Sequence, residues 1–461
     1  MIRKPKIGFI VYGVHKDGLQ DPMGQPFIDD HIVTQARAAL EGAGLQLVIE
    51  PLVIASKKEA REVLSRYKKM DDLDGLVLFS GTWVWSAHLS GALRDFSASG
   101  KAIVVWTHPG SQGWRPVGGL VLHGALKEVG IPHRFVYGAA DEEQAIRQIV
   151  SYCRAAAEKS RLNLSTAGVL GGRGMGQSCG VADPSQWMKV FGIDIDSRDT
   201  TRLVELARLI TPGELLQARA EIQPLFSEAL PQGEVADRSI RLYLAIQKIL
   251  LENEWDFYTI QSFPGLGDDY AATCFAQSLM LEKHMGTSTL SDFNTLMTVK
   301  LLSDLSSEPV YYGDLQHIAK AQHEIKIIGD GVCPPSLAGK VGPARIAEHG
   351  IPTEGEAGGI SVDLVCKAGK GVLARLGRNN GEFEMVLTRC SVFEPDASVI
   401  AARRLECGIP RWPHAFVTAH CDMEQLLTAW NNEYAVLGYG EHLYDELAAF
   451  CDLCGIRLIA L

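Results

Sequence analysis

The texture of this chain changes once, near Gly339, and that change bounds the fold more tightly than any single residue does. Before it, short apolar runs alternate with stretches of helical spacing. KIGFIVYG (6–13), LQLVIEPLVI, DGLVLF (74–79) and AIVVWTH (102–108) read as buried strands. Helical patterns lie between them at 29–43 and 57–70, and another follows at 117–130. LSTAGVLGG (164–172) opens a second series, continued by WDFYTIQSF (255–263), a helical stretch around Asp292–Leu305, and PVYYGDL (309–315). Strands alternating with helices imply a parallel sheet covered on both faces. After Gly339, residues 340–400 are rich in glycine and β-formers and lose the helical spacing, which predicts an antiparallel, barrel-like region. From Trp412 the tail returns to a strand and a helix. The predicted architecture is α/β: two doubly wound parallel-sheet domains (1–160 and 161–338), then a β-barrel-like C-terminal domain (339–461) with a closing strand and helix.

A chain of 461 residues is too long for one compact core, which agrees with several domains. Its formal net charge of -11 argues against a nucleic-acid backbone or an anionic membrane as partner. No apolar run reaches the roughly 18–20 residues that span a bilayer. The basic start, Met1 to Lys6, runs straight into a strand and lacks a signal-peptide core. A cytoplasmic protein with reduced thiols is expected. Of the ten cysteines, Cys451 and Cys454 form a C-x-x-C. They read either as a redox pair or half a zinc site, or as two small apolar side chains on a helix starting near His442, the second being the commoner case.

Four clusters carry chemistry. G-G-R-G-M-G-Q (171–177) follows a strand directly, so its backbone N–H groups can approach an anion or a polyol. The same pattern suits a tight turn needing positive φ. It is not a dinucleotide fingerprint, and no nucleotide cofactor is expected. T-L-S-D-F-N (289–294) and Y-Y-G-D-L (311–315) follow; Asp314 is expected at a strand end, where open α/β sheets bind ligands. W-P-H-A-F-V-T-A-H (412–420) places His414 at the start of a strand and His420 on the same face. Each has an ordinary alternative: a helix cap or turn for the aspartate, a hydrogen-bonded core histidine for the strand.

Taken in order, these segments resemble the L-fucose/L-arabinose isomerase superfamily. K-I-G-F, G-T-W (81–83), W-x-H-P (106–109) and L-H-G-A-L-K-E-V-G-I-P (122–132) look like its N-terminal domain. G-x-R-G-M-G with D-P-x-x-W and F-G-I-D (171–194) is similar to its middle domain. P-V-Y-Y-G-D-L and W-P-H-A-F-V-T-A-H are similar to the segments that bear its metal-binding Asp and His. The resemblance implies aldose–ketose isomerisation of an open-chain sugar through an ene-diol, an intramolecular oxidoreduction. It also implies Mn²⁺ or another divalent cation as a Lewis acid and carboxylates as proton shuttles. A trimer or hexamer is implied, with a neighbouring subunit's N-terminal domain covering the pocket; His15 and Trp83 are the candidates for that contribution.

Two positions depart from the pattern. Leu290 stands where the family has its metal-binding glutamate, and Gly329 where relatives bring a histidine. Asp314 and His414 are retained, and Asp330 is a new carboxylate beside Gly329. Asp292, Asp330 and Glu324 are the further oxygen donors, with Asp292 cast as a loop-orienting residue. The expected site has Asp314 and Asp330 as catalytic groups and Asp314, His414 and Asp330 as metal ligands. Arg173, Gln177, Trp83 and His15 are expected to hold the substrate, with Arg173 and His15 placed for an anionic substituent. The partner is a sugar or sugar derivative. The alternative is a relative that binds a carbohydrate-like ligand without isomerising it, or that runs a metal-independent reaction.

Overall fold

In the computed structural model the first alternation folds as a five-stranded parallel sheet. Its strands are β1 (Lys6–Tyr12), β2 (Gln46–Ile49), β3 (Gly75–Ser80), β4 (Ala102–Thr107) and β5 (Arg134–Tyr137). They stand in the order β2-β1-β3-β4-β5. The structure describes residues 4–14, 28–110, 114–262, 265–349, 357–405 and 411–461. β1, β3 and β4 are buried almost throughout, because helices cover both faces; this is why they read as continuous apolar runs. Helix Lys57–Lys68 begins at a capping box between Ser56 and Glu59, and helix Asp30–Gly42 begins at the Asp29 side chain. The chain order reverses between β1 and β3, which makes their carboxyl ends the crevice of this sheet. Trp83 follows β3 there and packs edge-on against Trp85, 4.6 Å between centroids.

By contact density the chain divides into two compact units. The first holds residues up to Arg161 together with Asp445–Cys454. Within it, helix Glu143–Leu162 is tied to that returning segment by Arg154 to Glu446 (2.6 Å) and Lys159 Nζ to the Leu453 carbonyl (2.7 Å). Cys451 is buried and Cys454 half-buried, and burial pushes both thiols up, Cys454 to about 11. They sit on the helix expected from His442, which runs His442–Cys454.

The second unit holds Leu162–Tyr444 and Gly455–Leu461. It contains a second parallel sheet, β6 (Thr166–Leu170), β7 (Asp194–Arg198), β8 (Phe257–Ile260) and β9 (Thr287–Ser288), ordered β7-β6-β8-β9. The order reverses between β6 and β8. The remaining strands are β10 (Tyr311–Ala319), β11 (Glu324–Ile328), β12 (Arg345–Glu348), β13 (Ile360–Asp363), β14 (Gly369–Asn379), β15 (Glu382–Phe393), β16 (His414–Ala419), β17 (Tyr434–Tyr439) and β18 (Arg457–Ala460). Seven of them follow one another as β14-β17-β10-β11-β16-β15-β18. β14 also pairs with β15 along its whole length, so six of the strands close into a ring. Only β18 runs parallel to its neighbour in this ring system, which is otherwise antiparallel. β10 and β11 precede residue 338 and still belong to this ring. One apolar core joins it to the second sheet, running through Leu170, Ile260, Phe275, Tyr311, Val386 and Leu437. Among the described residues, no helix is long and apolar enough to cross a membrane.

Candidate functional site

Register puts the expected residues in a row. Asp314 on β10 pairs with Ile328 on β11, and Ile328 pairs with His414 on β16. On its other side Asp314 pairs with Tyr434 on β17. Directly opposed residues project to the same face of a sheet, so Tyr434, Asp314, Ile328 and His414 share one face. Residues that alternate with them along the same strands, Tyr311, Ile327, Ala415 and Ala435, belong to the buried core. The expectation that Asp314 ends a strand of an open parallel sheet is corrected here. It lies inside a nine-residue strand of the closed mixed sheet, just before a register shift between Leu315 and His317. The long apolar–polar alternation that continues to Ala319 was hidden by the bulge.

Asp330 follows two residues after Ile328 and is buried. Tyr434 donates its hydroxyl to Asp330 Oδ2 at 2.7 Å. Thr289, just past β9, brings its hydroxyl to 3.2 Å from the same oxygen and 3.1 Å from the tyrosine oxygen. A single hydrogen on Thr289 serves one of these acceptors at a time. The carboxyl end of the second sheet is thereby joined to the ring of strands. Burial pushes Asp314 up to about 8, and the nearby charges of Asp330 and Glu433 add to this. Burial raises Asp330 as well, but the hydroxyls of Tyr434 and Thr289 favour its charged form and oppose the rise. Burial and then the two aspartates also push Tyr434 well above its ordinary value, keeping the phenol protonated.

The glycine-rich loop closes on the same place. It leaves β6 at the chain-order reversal, and Gly172 N donates to the Gln261 side chain at 2.8 Å. A Cβ on Gly174 would stand 2.5 Å from the Leu290 carbonyl, so glycine is required for the loop to lie on Leu290. Gln177 donates to Glu433 at 2.5 Å, which links the loop to the residue before Tyr434. Arg173 is exposed on this loop. Leu290 and Ser291 both have left-handed φ, 57° and 55°, an uncommon pair of non-glycine residues. Asp292 then caps helix Phe293–Leu305 and forms a fully buried ion pair with Arg375 at 2.8 Å. It is held as a structural anchor and is not presented to the Asp314 row.

The positions of the other expected residues follow from the same geometry. Glu324 stands at the far end of β11 from Ile328. Gly329 has no room for a histidine: a Cβ would lie 2.9 Å from the Val332 carbonyl and 3.0 Å from the Tyr311 ring. Trp83 belongs to the first unit, and His15 lies outside the described residues. His420 bonds Ser391 at 2.9 Å from a position beyond β16. Two residues of the site, Glu433 and Tyr434, carried no signal in the sequence; NNEY is an ordinary loop-to-strand entry, and only the β10–β17 register brings it to Asp314.

Those residues do not fit a divalent cation in this arrangement. Asp314 and His414 are two strands apart, about 10 Å between backbones, with the Ile328 side chain between them. His414 is fully buried and turns Nδ1 to the Trp412 carbonyl. The Leu290 side chain offers no donor atom. Among the described residues no group of three or more His, Cys, Asp or Glu side chains is placed to hold one ion. What the arrangement offers chemically is a pair of carboxyl groups with different environments, backed by two hydroxyls.

No protein-family profile matches the chain. It is similar to the sulfoquinovose isomerase of Clostridium sp. (strain MSTE9), 23% identical over 324 residues, which cover 69% of this chain and 70% of the relative. A sugar isomerase is thus among its relatives. Among solved structures, GanP, a glucose-galactose binding protein from Geobacillus stearothermophilus, matches over 65% of this chain and 90% of its own, at 13% identity and a TM-score of 0.18. So low a score carries no argument.

Proposed function

We propose that this protein is an aldose–ketose isomerase of the L-fucose/L-arabinose isomerase kind, acting on an open-chain sugar or sugar derivative. The observation that carries the reading is the Asp314–Asp330 pair, two carboxyl groups in different surroundings. Burial raises both, to about 8 for Asp314, and the hydroxyls of Tyr434 and Thr289 oppose the rise on Asp330 by favouring its charged form. Such a difference in surroundings assigns acid and base roles: Asp330 is the base and Asp314 the acid.

The chemistry follows from that division. Asp330 removes the proton on C2 of the aldose, and the C2–H electron pair becomes the C1–C2 double bond. Asp314 gives its proton to O1, so the ene-diol forms without a free oxyanion. The proton on Asp330 exchanges with water while the ene-diol persists; Asp330 then protonates C1, the O2–H proton passes to Asp314, and C2–O2 becomes the ketone. The proton count closes, and both carboxyls end as they began. General acid–base transfer of this kind contributes about 10²–10⁴-fold. No step above runs through a metal, since the donors of this site do not assemble around one.

The similarity to a sulfoquinovose isomerase makes sulfoquinovose the first substrate to try. The test is a panel of aldoses and sulfonated, phosphorylated and deoxy derivatives, followed by NMR for ketose formation, with and without added Mn²⁺. Turnover of at least one member, lost by more than about 10²-fold in Asp330→Asn, supports the reading. Binding of a panel sugar with no turnover under either condition overturns it in favour of a binding protein.

A further inference from the structure

A second cavity lies against the same loop and is not used by the proton transfer. It has a volume of ≈ 340 Å³ and is lined by Ser178, Cys179, Gly180, Asn294, Arg378, Gly381 and Asn431. Two short links lead from it towards the carboxyl pair. Ser178 follows Gln177, which bonds Glu433, and Asn431 precedes Glu433 by two residues. The cavity therefore adjoins the Gln177–Glu433 bridge, beside the groups that would work on C1 and C2 of a sugar.

Its lining mixes polar and apolar surface, contains one cation, and contains no carboxylate. Arg378 donates to the Val181 carbonyl and, at 3.4 Å, to the Gln186 side chain, both neutral acceptors. Among the described residues its charge has no carboxylate partner. Asp292 lies behind Gly180, but its charge is committed to Arg375 and to the N-terminal amides of helix Phe293–Leu305. Asn294 is 4% exposed, and its side-chain amide has no hydrogen-bond partner among the described residues although it lines the cavity. Asn431 also lines the cavity, but its Nδ2 is enclosed and packs against Gly377, where a Cβ would lie 1.7 Å from it. A nearly buried amide left without a partner lowers stability unless a ligand satisfies it. The Asn294 amide lines the same cavity as the Arg378 guanidinium and the Ser178 side chain, donors that match the oxygens of an anion.

We propose that this cavity is the subsite for an oxyanion on the end of the sugar remote from C1 and C2, a sulfonate or a phosphate. The proposal rests on the isomerase reading for the position of C1 and C2, and it deepens that reading by making the substrate an anionic sugar. Arg378 supplies the charge, Asn294 a nearly buried donor, and Ser178 a further donor at the mouth. A neutral sugar of the same length leaves the Asn294 amide unpartnered and the Arg378 charge without a counter-ion.

The experiment compares affinities by calorimetry for three probes: sulfoquinovose, glucose 6-phosphate, and quinovose as the neutral counterpart. Wild type is expected to bind at least one anionic probe about 10- to 100-fold more tightly than quinovose, the range of charge-assisted hydrogen bonds. Comparison of the sulfonate with the phosphate identifies the preferred oxyanion. Arg378→Gln and Asn431→Asp should each bring that ratio towards one. Asn431→Asp is isosteric and places a negative charge against the ligand, so it decides the matter if loss of the Arg378 bonds unfolds the neighbouring loop. A wild-type ratio near one, or a ratio that both folded variants leave unchanged, overturns the subsite. Preference for the anion without any isomerisation keeps the subsite and removes the isomerase reading; isomerisation of neutral sugars with a ratio near one does the reverse.

Discussion

Replacing Asp314 by asparagine removes a titrating group while keeping its shape, and the consequence for stability is calculable. Asp314 titrates at about 8 in the folded protein against an ordinary 3.8. Each unit of difference is about 1.4 kcal/mol, so the full rise corresponds to a ceiling of about 5–6 kcal/mol. The carboxyl is partly exposed, and solvent screening reduces this to a few kcal/mol, roughly half the ceiling. The direction is set by the raised folded value. The stabilising contribution of the protonated group is complete below pH 3.8 and is lost as pH rises through about 8. Wild type and Asp314→Asn should therefore unfold at similar denaturant concentrations near pH 4. Between pH 5 and pH 9 the variant should become progressively the more stable of the two, by about 2–3 kcal/mol at the top of the range. Urea unfolding at five pH values measures the difference directly. A difference that stays flat from pH 4 to pH 9 would mean that Asp314 titrates near its ordinary value, and the acid role assigned to it would fall with that.

Other substitutions probe the same arrangement. Tyr434→Phe removes the closer hydroxyl from Asp330, so the acidic limb of a kcat/KM profile should move up by about one pH unit; an unmoved limb would detach Asp330 from the base role. Arg375→Met leaves the Asp292 carboxylate buried without its cation and should cost about 3–5 kcal/mol in urea unfolding, with part recovered in the double variant Asp292→Asn/Arg375→Met. Leu290→Glu adds a carboxylate one residue after Thr289, and if the turn aims it at Asp330, calorimetry should show Mn²⁺ bound at least about tenfold more tightly than by wild type; no gain would show that the left-handed turn at Leu290–Ser291 points that position away from the pair.

Much of the fold was written in local pattern. β1, β3 and β4 are buried on both faces, so their apolar runs stand out without any partner being known. The capped helices Lys57–Lys68 and Phe293–Leu305 begin at Ser56 and Asp292, residue types that announce a helix start. The closed ring after Gly339 was legible as β texture, yet its recruitment of β10 and β11 was not, because strand pairing between segments so far apart in the chain leaves no local trace. The site shows the same division. Asp314, Asp330, His414 and Gln177 are visible as polar residues in apolar or glycine-rich surroundings. That Ile328 separates Asp314 from His414, and that Tyr434 and Glu433 stand beside them, depends on register alone. Gly329 and Gly174 looked like loop glycines; contact with the Tyr311 ring and with the Leu290 carbonyl gives each a steric reason.

The central claim is that two carboxyl groups pass a carbon-bound proton between neighbouring carbons of a sugar. It is tested most directly by running the reaction in D₂O with sulfoquinovose and the other panel aldoses, and reading deuterium at C1 of the ketose and C2 of the recovered aldose by NMR. The account predicts solvent deuterium at these two positions with wild type and none with Asp330→Asn. Ketose formed without any deuterium at C1, or exchange that persists undiminished in Asp330→Asn, would contradict it.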